Sequence, residues 1–334
     1  MMNDNVLLEV KDLKTSFFTP DGEVKAVDGV SYYINKGEVI AIVGESGCGK
    51  SVSQMSVMQL IQMPPGKILG GQALFEGTDL LQYKPDSPEM RAIRGEGIAM
   101  IFQEPMTSLN PVMTVGKQIS QVIQIHKKVN KKEAWALGIK ALEAVGIPDP
   151  ADRMENYPFQ MSGGMRQRVL IAIAVACGSK LIIADEPTTA LDVTTQAQVM
   201  ELLQSIVRDY GTSILMVTHN LGLVTRYAER VYVMYAGKII ESGTTEDILM
   251  HPRHPYTVGL LNSVPKLQAE KGDLVSIKGA PPRLNELPDH CAFYERCPHA
   301  CEKCKESGIP VLEQVGENNH FAACHCLQET VNHE

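Results

Sequence analysis

Gly44-Glu45-Ser46-Gly47-Cys48-Gly49-Lys50-Ser51 is a run whose residue types and spacing suit phosphate chemistry. Its glycines let backbone N–H groups turn inward together and form an anion nest. A lysine closing such a nest supplies a point charge for the β- and γ-phosphates of a nucleotide, and the hydroxyl after it ligates Mg²⁺. Cys48 stands where the pattern asks nothing of the side chain, and reads as a tolerated small residue. A second run, Leu181-Ile182-Ile183-Ala184-Asp185-Glu186, ends an apolar stretch in two carboxylates. Buried carboxylates need partners. Mg²⁺ with its waters would satisfy Asp185, and Glu186 would orient or deprotonate a water facing the γ-phosphate. Each run also has a bland reading, a glycine-rich turn and a strand-to-turn Asp-Glu-Pro. Together they favour nucleoside triphosphate hydrolysis.

The elements that must position these groups are legible around them. Val39 to Val43 is a short β-branched run feeding the Gly44 turn, and Lys50 to about Gln62 reads as a helix stopped before Pro64-Pro65. Leu181 to Ala184, Ser213 to Val217 and Val231 to Tyr235 are further apolar strands, with a helix from about Thr194 to Arg208 between the first two. Strands alternating with helices imply an α/β fold with a parallel sheet. From Met113 to Gly146 the chain is helical, with Asn130 and Glu133 as a capping box and Gly146 as a stop. Lys127, Lys128, Lys131 and Lys132 there read as a solvated helix edge. After about Gly259 the pattern weakens into a linker marked by Pro265, Pro281-Pro282 and Pro288.

Composition narrows the classes. A net charge of -8 argues against a nucleic-acid-binding surface. No stretch approaches the roughly 18 apolar residues of a spanning helix, and Met1 to Glu9 lacks the basic start and apolar run of a signal peptide. The expectation is a protein on the cytoplasmic side, attached to a membrane only through partners. Cys48 and Cys177 are isolated, whereas Cys291, Cys297, Cys301, Cys304, Cys324 and Cys326 crowd one segment. In a reducing compartment such crowding reads as metal ligands.

Met161-Ser162-Gly163-Gly164-Met165 lies between the helical middle and the acidic strand. With the cradle, it resembles the signature motif of ABC transporter ATPases. That resemblance spans roughly residues 7 to 260 and implies a P-loop NTPase (RecA-like) core with a helical signature subdomain at about 104–160. It assigns further roles by match. Phe17 corresponds to the aromatic residue that stacks on adenine, and Gln103 in Phe102-Gln103-Glu104-Pro105 to the Q-loop, a Mg²⁺ ligand beside Ser51 and Asp185. Ala190-Leu191-Asp192 corresponds to the D-loop and His219 to the switch histidine. The family's signature usually begins with Leu and ends with Gln; here both positions are Met. The resemblance implies ATP sandwiched between two such domains, the signature of one closing over the cradle of the other. A second ATPase subunit, related but distinct, is then required, together with two integral membrane permease subunits.

The run Cys291-Ala292-Phe293-Tyr294-Glu295-Arg296-Cys297-Pro298-His299-Ala300-Cys301-Glu302-Lys303-Cys304, then Ala323-Cys324-His325, resembles the C-terminal region of oligopeptide and dipeptide importer ATPases. In that group Cys291, Cys297, Cys304 and Cys324 match the cysteines, with Cys301 and Cys326 extra. Four thiolates suit Zn²⁺ or a [4Fe–4S] cluster, and the resemblance favours the cluster. A small loop-rich appendage needs such a staple; packed reduced cysteines are the bland alternative. His251 and His254 lie in His-Pro turns and read as structural. The whole predicts an ATPase domain over residues 1–260 and a metal-binding region over 261–334. The reading is the ATPase of a peptide importer served by an extracellular peptide-binding protein. The alternatives are an importer for nickel or another metal chelate, a non-transport ABC ATPase, or a metal sensor.

Overall fold

The computed structural model describes residues 5–189, 191–263, 277–316 and 319–327, and the chain forms two compact units. Residues 5–7, 34–39 and 82–217 make the first unit, and residues 8–33, 40–81 and 218–327 the second. Ala190 and Pro265 lie outside the described residues.

In the first unit the strands Ile98–Ile101, Leu181–Asp185 and Ser213–Thr218 run parallel, with Ile98 opposite Leu181 and Leu181 opposite Ser213. The latter two are buried along their whole length, as strands covered on both faces must be. This is why their sequences read as unbroken apolar runs. The helices Val115–Lys127, Lys131–Ala144 and Gly163–Ala176 pack on one another. The Asn130 box forms as its sequence implies. The Glu133 N–H donates to the Asn130 side chain at 3.0 Å, and the Glu133 carboxylate accepts from the Asn130 N–H at 3.4 Å. Gly146, at φ 69°, turns the chain away just past the helix end.

In the second unit the strand Val39–Val43 pairs in parallel with Arg230–Tyr235, which pairs antiparallel with Lys238–Thr244. The helix that starts at Lys50 ends at Val57, short of Gln62. Gln59 adopts a left-handed backbone, φ 49°, and that breaks the repeat. A separate antiparallel sheet, unannounced by the sequence, holds Gly22–Asn35, Val6–Thr19, Gly66–Phe75 and Thr78–Asp79 in that order.

The cysteine-bearing region is loop-rich from 277 to 301, but it does not end as loops. Phe321–Ala322 pairs antiparallel with Lys238–Thr244, and Glu313–Gln314 pairs with Phe321–Ala322. At that edge sits Glu241, fully buried. Its carboxylate accepts from the Arg253 N–H at 2.6 Å and the His254 N–H at 2.9 Å, and lies 2.9 Å from His320 Nε2. His254 in turn caps the helix Pro255–Asn262, its Nδ1 accepting from the Tyr256 N–H at 3.0 Å.

Burial lowers the His254 pKa from the ordinary 6.5 to about 4, against the smaller upward pull of Glu241. Its folded pKa is thus depressed, and the native state keeps the neutral ring. Below pH 6.5 the unfolded chain takes up a proton that the native chain refuses, so stability falls as the pH drops toward 4. The loss from this group is about 2 kcal/mol by pH 5. His254→Asn keeps a capping side chain and removes the titration. Urea melts at pH 7 and pH 5 are expected to show the wild type losing more stability than the variant. Equal losses would exclude His254 as the source.

Candidate active site

The second unit carries the phosphate cradle. The strand Val39–Val43 delivers Gly44, and the helix Lys50–Val57 opens directly after the turn, aiming its N-terminal N–H groups at the loop. Ser46 and Gly47 are exposed, while Cys48, Gly49 and Lys50 are buried. Gly49 is at φ 102°, and a Cβ there would collide with the Ala26 carbonyl oxygen. Lys50 Nζ donates to the carbonyls of Gly44 at 2.8 Å and Glu45 at 2.9 Å. Burial pushes the Cys48 thiol up, which keeps it a protonated packing group. Phe17 is half-buried, with its backbone opposite Gly66, whereas its neighbour Phe18 is exposed.

Two residues at the cradle carry no sequence signal. The Glu45 N–H donates to the Tyr256 hydroxyl at 2.8 Å. The Glu45 carboxylate is gripped by Arg296, with N···O distances of 2.7 and 2.8 Å. Both partners lie more than 200 residues downstream, so no local pattern could have pointed to them.

The first unit carries the acidic strand end. Asp185 and Glu186 are both buried. Glu186 has a left-handed backbone, φ 46°, uncommon for a residue with a side chain and the kind of strain that gathers at functional sites. Its N–H donates to the Val217 carbonyl at 2.8 Å, which holds that conformation. Its Oε2 accepts from Gln103 Nε2 at 3.0 Å and from the Thr189 hydroxyl at 2.8 Å. The structure thus brings together Gln103 and Glu186, residues 83 positions apart, and adds Thr189. Thr189 was legible in principle, as a hydroxyl one turn beyond a strand-end carboxylate.

The signature lies in the same unit. Ser162 caps the helix Gly163–Ala176, its side chain accepting from the Met165 N–H at 3.3 Å. Ser162 and Gly163 are exposed, with the first free N–H groups of the helix beside them. A Cβ on Gly164 would come within 2.7 Å of Thr195 Cγ2, so only glycine allows this approach. Thr195 belongs to the helix Val193–Tyr210, which Asp192 caps. Its N–H and hydroxyl donate to the Asp192 carboxylate at 3.0 and 2.6 Å, and they hold that carboxyl below the usual range. His219 follows the strand Ser213–Thr218 and is exposed.

Comparison with known proteins fits this arrangement. The family model described as ABC transporter matches residues 27–189, and that described as Oligopeptide/dipeptide transporter, C-terminal region, matches residues 240–304. The oligopeptide transport ATP-binding protein AppD of Bacillus subtilis is 50% identical over 90% of this chain and 91% of its own length. OppD of Salmonella typhimurium, an oligopeptide transport ATP-binding protein, is 49% identical over 92% of this chain and 90% of its own. The chain belongs to the ABC transporter ATPases of the oligopeptide and dipeptide importer family. A solved ATP-binding cassette, dimeric in a post-hydrolysis state with ADP and Pi, is similar with TM-score 0.63 and 25% identity over 71% of this chain and 98% of that one. The chain is therefore an ATPase built on the ABC cassette fold. Among the described residues, no helix is long and apolar enough to cross a membrane.

The cysteine segment brings some of its thiols together. The three thiols whose sulfurs all lie within 4.8 Å of one another are Cys301, Cys304 and Cys326. Cys301 Sγ is 2.7 Å from Cys326 Sγ, and Cys304 Sγ is 3.6 Å from both. Of the expected quartet Cys291, Cys297, Cys304 and Cys324, only Cys304 joins this group. The reason is local. The short helix Glu302–Glu306 starts after Cys301 and puts Cys304 one turn on, on the same side, a placement invisible in linear spacing. Burial pushes the Cys297 thiol up to about 12 and Cys324 to about 11, and burial also raises Cys326 of the converging three.

Gly49→Ala is expected to weaken MgATP binding at least about tenfold, because the loop cannot keep its shape beside Ala26. Titration with a fluorescent ATP analogue reads this. Unchanged affinity in a folded variant would remove the cradle's dependence on that glycine.

Proposed function

We propose that this chain is the ATP-hydrolysing subunit of an importer for dipeptides or oligopeptides. The observation that carries the hydrolytic reading is the buried Glu186 carboxylate fixed by Gln103 and Thr189. Peptide as cargo is supported by the relatives' names and by the matched C-terminal region.

In this reading the loop of Gly44, Glu45, Ser46, Gly47, Cys48 and Gly49 wraps the phosphates with its remaining amides, the Glu45 N–H itself being held by Tyr256; Lys50 supplies charge, and Phe17 stacks on adenine. Ser51, Gln103 and Asp185 would hold Mg²⁺, which would supply positive charge against the phosphates. Glu186 aligns the attacking water and takes its proton, with His219 as the switch that contacts the γ-phosphate. Ser162, Gly163 and Gly164 serve the site of a partner ATPase, and Asp192 keeps the signature placed through Thr195. The partners are a related, non-identical ATPase subunit, two permease subunits and, through them, an extracellular peptide-binding protein. The chain then works at the cytoplasmic face of the membrane, with residues 1–260 as its nucleotide-binding domain and 261–334 as its metal-binding C-terminal region.

Glu186→Gln leaves a side chain of the same shape that cannot take a proton. In the assembled complex it should retain ATP and lower turnover by at least about a hundredfold. Undiminished hydrolysis would end the role given to Glu186.

The thiol-rich segment fits a soft metal, since several sulfurs converge in a partly buried loop region. A [4Fe–4S] cluster on Cys291, Cys297, Cys304 and Cys324 would act as a structural staple. The convergence of Cys301, Cys304 and Cys326 favours a second reading, Zn²⁺ on those thiols. Iron, sulfide and zinc analysis of anaerobically purified protein separates them. About four iron and four sulfide per chain support the cluster, and stoichiometric zinc without iron refutes it.

A further inference from the structure

Arg296 stands between Cys291 and Cys297, in a segment with no part in the cradle motif. Its Nη1 and Nη2 meet the two oxygens of Glu45 at 2.7 and 2.8 Å, a fork matched to a carboxylate. Nη1 also lies 3.3 Å from the Tyr235 hydroxyl, and Nε donates to the Lys278 carbonyl at 3.0 Å. The arginine side chain is only 5% exposed. Phe293, buried three positions earlier, packs edge-on against both Tyr235 and Tyr256 at centroid distances of 5.3 and 5.4 Å and fixes the arm that carries Arg296.

Glu45 is the second residue of the cradle. Its carboxylate has the same sign as the phosphates the loop is built to hold, and like charges carried on one loop repel each other. The Arg296 fork neutralises that charge, while Tyr256 fixes the Glu45 backbone. We infer that Arg296 is a positioning residue for nucleotide binding, through which the cysteine-bearing segment sets the affinity of the cradle. This rests on reading Gly44–Ser51 as the ATP cradle.

The test uses the full-length chain and MgATP titrations of Arg296→Gln, Arg296→Lys, Glu45→Gln and the Arg296→Gln/Glu45→Gln double variant. Arg296→Gln should weaken affinity about tenfold, less so in high salt, because an uncompensated carboxylate then faces the phosphates. The double variant should return to within about threefold of wild type, since the repelling charge is gone. Arg296→Lys keeps the charge without the fork and should fall between. Wild-type affinity in a folded Arg296→Gln chain overturns the inference. So does a loss that Glu45→Gln fails to relieve, the mark of a merely structural arginine. If Arg296→Gln does not fold, Arg296→Lys with and without Glu45→Gln decides by the same criterion. A wild-type chain that binds no MgATP, or binds it equally after Lys50→Ala, overturns the cradle reading instead.

Discussion

The buried carboxylate of Glu241 is the constraint from which the C-terminal half of the second unit follows. A charge removed from water is costly unless donors replace the lost hydration. Here the donors are the N–H groups of Arg253 and His254, with the His320 ring beside them. The first two fix where the chain turns into the helix Pro255–Asn262. The third fixes the approach to the strand Phe321–Ala322. The helix places Tyr256 against the Glu45 amide, and the aromatic cluster around Tyr256 receives Phe293. One buried carboxylate therefore sets the frame in which a remote segment reaches the phosphate cradle.

How much of this was legible in the sequence depended on the range of the forces involved. Val39–Val43 and Leu181–Asp185 were legible because strands buried on both faces must be continuous apolar runs. The capping box at Asn130 was legible because its partners are three residues apart. The antiparallel sheet was not. Val6–Thr19 mixes charged and apolar positions and shifts register between Lys11 and Thr15, so no clean alternation survives. His254 takes a structural part, as its His-Pro turn suggested, but nothing local foretold that it would cap a helix beside a buried glutamate. For the thiols, spacing alone could not say which sulfurs meet. That depended on one helical turn after Cys301 and on the return of the chain at Cys326.

The same contrast holds within the candidate site. Gln103, Asp185 and Glu186 were legible through their strand ends and their match to a known family. Arg296 was not, because it belongs to no motif and meets Glu45 from more than 200 residues away; Thr189 was legible only in principle, as a hydroxyl near Glu186 that acts on another side chain. Residues of that second kind decide orientation. Glu186 in a strained backbone is useful only if its carboxylate is held still, and Gln103 and Thr189 do that from opposite sides in sequence.

The two methionines of the signature are best judged by what their positions require. Met161 is buried, so its side chain fills core volume, and exchange among large apolar residues there is a small packing change. Met165 offers its backbone N–H to the Ser162 side chain, a bond that any residue but proline at that position permits. The groups that matter to an anion are the Ser162 side chain and the free amides of the first helical turn. None belongs to a methionine side chain. Gly164 is the residue without latitude, since Thr195 leaves no room for a Cβ. In that reading, departure at both ends of the motif leaves its working groups in place, the Ser162 side chain and the backbone of the first helical turn, while Met161 serves packing.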